Sequence, residues 1–144
     1  MPTQDTIKLL NECNAGIKMA VESLEEVLDK TKNETLKSIL KKSLDEHKKL
    51  GDLTHQKLNE FNDTDKEPNP IAKVMSWAST NLKLFTGDVD EKIADIITEG
   101  CNMGIKSIAR YLNQYPNARD DIKDLVDQII KIEEDLVHEL RPYL

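Results

Sequence analysis

The sequence predicts an all-α protein, a bundle of four long helices in one domain over residues 1–144. Three observations carry that expectation. Leu, Ile and Val recur at helical spacing through four long segments, in a chain that is 33% charged and only 4% aromatic. The prolines all fall outside those segments, where they punctuate rather than interrupt. Finally, Cys13-Asn14-Ala15-Gly16-Ile17-Lys18 returns near the other end as Cys101-Asn102-Met103-Gly104-Ile105-Lys106, the same at five of six positions. Both copies lie within helical patterns, so they read as the trace of an internal repeat in which one helical hairpin is echoed by a second.

The first helix, α1, is expected over about Thr3 to Asp29, with Ile7, Leu10, Cys13, Ile17, Val21, Leu24 and Leu28 on one face. Glu12, Glu22, Glu25 and Glu26 fall to the flanks or the opposite side. A capping box, Thr31 with Glu34, is expected to open the second helix. That helix, α2, covers about Asn33 to Phe61 and turns Leu36, Ile39, Leu40, Leu44, Leu50, Leu58 and Phe61 inward. His47 and Thr54 fall near the middle of the same stripe, whereas Lys41, Lys42, Lys48 and Lys49 project toward solvent.

The third long helix, α3, is expected over about Val89 to Asn113, capped by Asp88 and ended by Tyr115-Pro116-Asn117, because the residue before proline is driven out of helical geometry. Its inner face carries Ile93, Ile96, Ile97, Gly100, Cys101, Gly104, Ile108, Tyr111 and Leu112. The fourth, α4, runs from about Ala118 to Leu140 with Ile122, Leu125, Val126, Ile129, Ile132, Leu136 and Leu140 inward, and Pro142 stops it.

Within each repeat copy, Cys, Gly and Ile at i, i+3 and i+4 share a stripe. Cys13, Gly16 and Ile17, with Cys101, Gly104 and Ile105, are therefore expected to be structural. The thiols should behave as small buried hydrophobes, reduced and not joined to each other, and the glycines should let a neighbouring backbone come close.

The connection between α2 and α3, residues 62–88, far exceeds the few residues usual between bundle neighbours. Asn69-Pro70 suits the start of a short helix over about Ile71 to Phe85, which carries Trp77 beside Val74 and Met75. A connection of that length can run back along the bundle, which gives the single-crossover, ferritin-like topology. Trp77, Asn81-Leu82-Lys83 and Thr86-Gly87-Asp88, together with Leu9-Leu10-Asn11 in α1, also resemble a bacterial family of ferritin-like four-helix bundles known only as domains of unknown function. The resemblance implies a fold; it brings no activity and no functional residues.

Composition narrows the function. A net charge of −7 leaves no excess of Lys and Arg to neutralise phosphates, so neither a nucleic acid nor an anionic membrane is an expected partner. No signal peptide and no continuous apolar span is seen, which places the chain in the cytoplasm. A ferritin-like bundle raises the di-iron question, and that chemistry needs a carboxylate from each of two helices and a Glu-x-x-His motif from each of the other two. No Glu-x-x-His occurs. The nearest matches, Glu134 and Asp135 with His138, fall off the apolar stripe, and the repeat pairs Glu12 with Gly100 and Asn11 with Glu99. No phosphate-binding loop, nucleophile elbow or catalytic Cys/His arrangement is present. His55 and His138 are expected at the surface.

The reading is a non-catalytic bundle without a cofactor, acting by interaction or by homo-oligomerisation through the crossover helix. The alternative is a metal-binding protein of the di-iron carboxylate type with a degenerate site. His47 and Glu133 are its candidate ligands, because each sits on an otherwise apolar stripe. Aligning Leu36 of α2 with Ile122 of α4 brings His47 opposite Glu133, since each lies the same number of residues beyond its leucine or isoleucine. A carboxylate at such a position is costly unless paired, so a buried hydrogen-bonded pair that fixes helix register is expected.

Overall fold

Three of the four α-helices among the described residues begin where a short polar side chain can accept from the first free N–H groups. Thr3 accepts from the Thr6 N–H, Asn33 from that of Leu36, and Asp88 from those of Asp90 and Glu91. The fourth has no side-chain cap; Asp120 and Asp121 instead set two carboxylates against the positive end of its dipole. In the computed structural model, which describes residues 3–61 and 87–144, these starts give α1 Gln4–Leu28, α2 Glu34–Glu60, α3 Val89–Gln114 and α4 Asp120–Leu140, then a 3-10 turn at Arg141–Tyr143. The expected boundaries agree to within two residues.

One local expectation is corrected. The cap of α2 is Asn33, not Thr31, so the capping box does not form. Thr31 turns back, and its hydroxyl donates to the Val27 carbonyl at 2.9 Å, closing the end of α1. Helix α4 ends at Leu140 as expected, and Pro142 sits in the first turn of the 3-10 segment that follows, where its missing N–H costs nothing. The crossover helix and Trp77 lie outside the described residues.

Burial divides the core into two apolar clusters, one at each end. The first joins Leu24 and Val27 of α1, Leu36, Leu40 and Leu44 of α2, Ile93, Ile97 and Cys101 of α3, and Leu136 and Leu140 of α4. The second joins Leu9, Leu10, Cys13 and Ile17 of α1, Leu50 and Leu58 of α2, Ile108 of α3, and Ile122, Leu125, Val126 and Ile129 of α4. Thus α1 and α4 run one way and α2 and α3 the other. Helix α1 packs beside α2 and α3, and α4 beside the same two, so every adjacent pair is antiparallel. Helix α2 ends at the second cluster, whereas α3 begins at the first.

Polar contacts lace both ends. The Asp90 carboxylate accepts from the backbone N–H groups of Lys32 and Asn33 at 2.8 and 2.9 Å, tying the α1–α2 turn to the start of α3. At the other end the Asn117 N–H donates to Asp5, the Arg119 N–H donates to the Thr6 hydroxyl, and the Thr3 hydroxyl donates to the Asn117 carbonyl. These bonds fix the α3–α4 turn against the start of α1 and leave the middle of the bundle to side-chain packing.

Candidate functional site

Between the two apolar clusters lies one polar layer. It forms because α2 carries His47 one turn from both Leu44 and Leu50, and α4 carries Glu133 between Ile129 and Leu136, all on inward stripes. His47 is 1% exposed and Glu133 7%. The His47 Nε2 lies 3.5 Å from Oε1 of Glu133, so the two side chains that the register of α2 and α4 sets opposite each other do meet. The contact is an ion-pair distance, longer than an ordinary N–H···O bond, and neither His47 Nε2 nor Glu133 Oε2 has a hydrogen-bond partner among the described residues. The expected hydrogen bond is corrected to that extent: at 3.5 Å the two groups meet as a close polar pair.

The imidazole is held from behind. Its Nδ1 lies 2.8 Å from the Ser43 carbonyl and 3.3 Å from the Ser43 hydroxyl, one turn earlier on the same helix. A carbonyl can only accept, so Nδ1 carries a proton and Nε2 is the nitrogen presented to Glu133. Thr54, the other polar residue on this stripe, is fully buried but satisfied within its own helix, its hydroxyl donating to the Leu50 carbonyl at 2.7 Å.

The carboxylate is seated by a glycine. A Cβ at Gly104 would stand 2.7 Å from Glu133 Oε2 and 3.3 Å from Oε1, so α3 passes close over the carboxylate, and a methyl group there would force the Glu133 side chain to shift. One turn earlier on α3, Cys101 is buried, and burial together with the Glu133 charge pushes its thiol far above the ordinary range. Cys13, in the other copy of the repeat, is pushed up to about 12, by burial first and by Glu12 second. Both cysteines are free, as their positions on inward stripes imply.

The remaining repeat residues diverge. Gly16 is exposed, and a Cβ there would meet none of the described residues. Ile17 is buried and packs 3.1 Å from where a Cβ of Gly51 would stand, whereas Ile105 is only half-buried. Close approach is thus provided by Gly104 and Gly51, and sequence reasoning missed both partners. The signal for Gly104 was its place one turn beyond Cys101 on the helix beside α4, but nothing in the pattern said which side chain would fill the space.

The described residues do not fit a di-iron centre. Glu99, Glu134, Asp135 and His138 are all exposed, as is His55. Among the described residues no three His, Cys, Asp or Glu side chains converge in a metal-holding group. The buried layer offers one carboxylate and one imidazole from two helices, where a di-iron centre needs ligands from four. Among the described residues, too, no helix is long and apolar enough to cross a membrane.

No family model matches the chain, and no curated protein matches it. A solved structure does: the crystal structure of a DUF305 fragment from Deinococcus radiodurans superposes with a TM-score of 0.77, covering 98% of this chain and 95% of that one at 11% sequence identity. The likeness shows a shared helical fold, with a protein described as a domain of unknown function.

Proposed function

We propose that this chain is a ferritin-like, single-crossover bundle of the cytoplasm that acts by interaction or self-association, not by catalysis. The crossover is supported by the opposite ends at which α2 stops and α3 starts. The functional reading rests on one observation: the polar side chains at mid-bundle are engaged in packing, with Glu133 seated under Gly104 and His47 held by the Ser43 carbonyl. Self-association through the crossover helix, about Ile71 to Phe85, follows from its amphipathic pattern around Trp77. Sedimentation equilibrium over a hundredfold concentration range, read alongside Trp77 emission, tests it. A dimer whose dissociation shifts the emission is expected; a monomer at every concentration, with the emission of a solvated indole, would contradict it.

A second reading, metal binding, is favoured by one specific observation, the unpartnered atoms of His47 and Glu133.

A further inference from the structure

We infer that Met19 of α1 and Met103 of α3 form the seat on which the crossover segment, residues 62–86, passes over the bundle. The inference rests on the single-crossover reading above and adds the route. Helix α2 stops at the second apolar cluster and α3 starts at the first, so the connection has to travel about 40 Å, the length of 27 residues of α2 at about 1.5 Å each. Helices α2 and α3 also stand at opposite corners, since each packs beside α1 and α4. The connection therefore crosses the outside of either α1 or α4, near its middle. The short helix expected over Ile71 to Phe85 covers about 22 Å, and roughly ten further residues at about 3.3 Å each complete either route. Length does not choose between the two; surface chemistry does.

The middle of α4 presents Asp127, Gln128, Lys131 and Glu134, all exposed and all polar. An apolar helix face laid there would strip water from charges and gain no apolar partner. The middle of α1 instead presents Met19, 42% exposed, and the middle of α3 presents Met103, 55% exposed; Leu144 is the other large apolar side chain this open among the described residues. The two methionines stand level. Asp90 accepts from the Lys32 N–H, and thirteen residues back from Lys32 and thirteen on from Asp90, along antiparallel helices, lie Met19 and Met103. Toward the other end the Tyr111 hydroxyl donates to Glu12. Met19 is seven residues from Glu12 and Met103 eight from Tyr111, so both stay on the faces that α1 and α3 turn to each other. Methionine is unbranched and polarisable and packs against apolar groups of many shapes. The segment supplies the complement, because Ile71, Val74, Ala78 and Leu82 recur at helical spacing. Trp77, about 100° round that helix from Ala78, is left for a second copy of the chain, so seating and self-association use different faces.

The test is limited digestion of the full chain with trypsin, read at Lys73 and Lys83. Wild type should be cut slowly at both. The double variant Met19→Asp, Met103→Asp should be cut at least tenfold faster there with its helix content unchanged by circular dichroism, and Gln128→Asp on α4 should keep the wild-type rate. Because the double variant can loosen the bundle, a second measurement leaves the seat nearly intact: Met19→Cys with Met75→Cys should be joined within one chain by a short bismaleimide, while the buried native thiols stay unlabelled and Gln128→Cys with Met75→Cys is not joined. Equal cutting of wild type and the methionine variant, faster cutting in Gln128→Asp, or a link that forms only between chains overturns the inference. Protection at Lys73 and Lys83 that vanishes on hundredfold dilution also overturns it, because a second copy would then cover the segment. A chain that is monomeric at every concentration and still protected would refute self-association and uphold the seat.

Discussion

The two copies of the repeated hexapeptide have nearly the same residues and different surroundings. In α1, a Cβ at Gly16 would meet none of the described residues; in α3, Gly104 lies against a buried carboxylate. In α1 the thiol one turn earlier is buried beside Glu12, while in α3 it is buried beside Glu133. What differs is the helix opposite. Helix α4 carries Glu133 on its inward stripe and α2 carries His47, so among the described residues only one copy of the repeat meets the His47–Glu133 pair. A repeated sequence therefore repeats a helix face, and the role of each residue on that face is set by the partner it meets.

The largest effect is expected from removing the side chain that makes the copies differ. Glu133→Ala leaves His47 buried without its partner and should destabilise the fold by about 3–5 kcal/mol in urea unfolding. A loss below about 1 kcal/mol would mean that the carboxylate is not held in the layer. Next comes Gly104→Ala. Its methyl group strikes the carboxylate and should cost about 1–3 kcal/mol, net of the helix propensity gained.

The thiols sharpen the contrast through pH. Both are raised in the folded state above the ordinary value of 9.0, so above that pH the unfolded chain gives up protons that the folded chain keeps. Stability should be intact below pH 9.0 and then fall by about 1.4 kcal/mol per pH unit for each thiol, the Cys13 contribution levelling off near its folded value of about 12. Unfolding curves from pH 8 to 10.5 for Cys13→Ala and Cys101→Ala measure it: each variant should lose about half of the slope, and an unchanged slope in either would place that thiol in solvent. The smallest effect is at Gly16. With no described residue to strike, Gly16→Ala should stabilise by about 0.4–1 kcal/mol, opposite in sign to the same change at Gly104.

The helices, their inward faces and the opposition of His47 and Glu133 were legible because period and register are properties of single strings of residues. Leu36 and Ile122 are both fully buried, and counting forward from each reaches the pair. The parts that were not legible are properties of two helices at once. The seat of Glu133 under Gly104 depends on how closely α3 and α4 approach, and the lack of a described residue against Gly16 on how α1 sits beside its neighbours. The cap of α2 illustrates the local version: Thr31 and Asn33 both suit an N-terminus, and the choice fell to Asn33, whose side chain reaches the Leu36 N–H at 2.9 Å while its own N–H is taken by Asp90.

The most direct measurement is a double-mutant cycle on the pair. It compares the unfolding free energies of wild type, His47→Leu, Glu133→Met and the double variant at neutral pH. Each single change should be strongly destabilising, and the double variant, with two apolar residues filling the layer, should recover much of the loss, giving a coupling of about 1–3 kcal/mol. A coupling near zero, with the two losses simply adding, would show that His47 and Glu133 do not act on each other and would contradict the buried pair at the centre of the bundle.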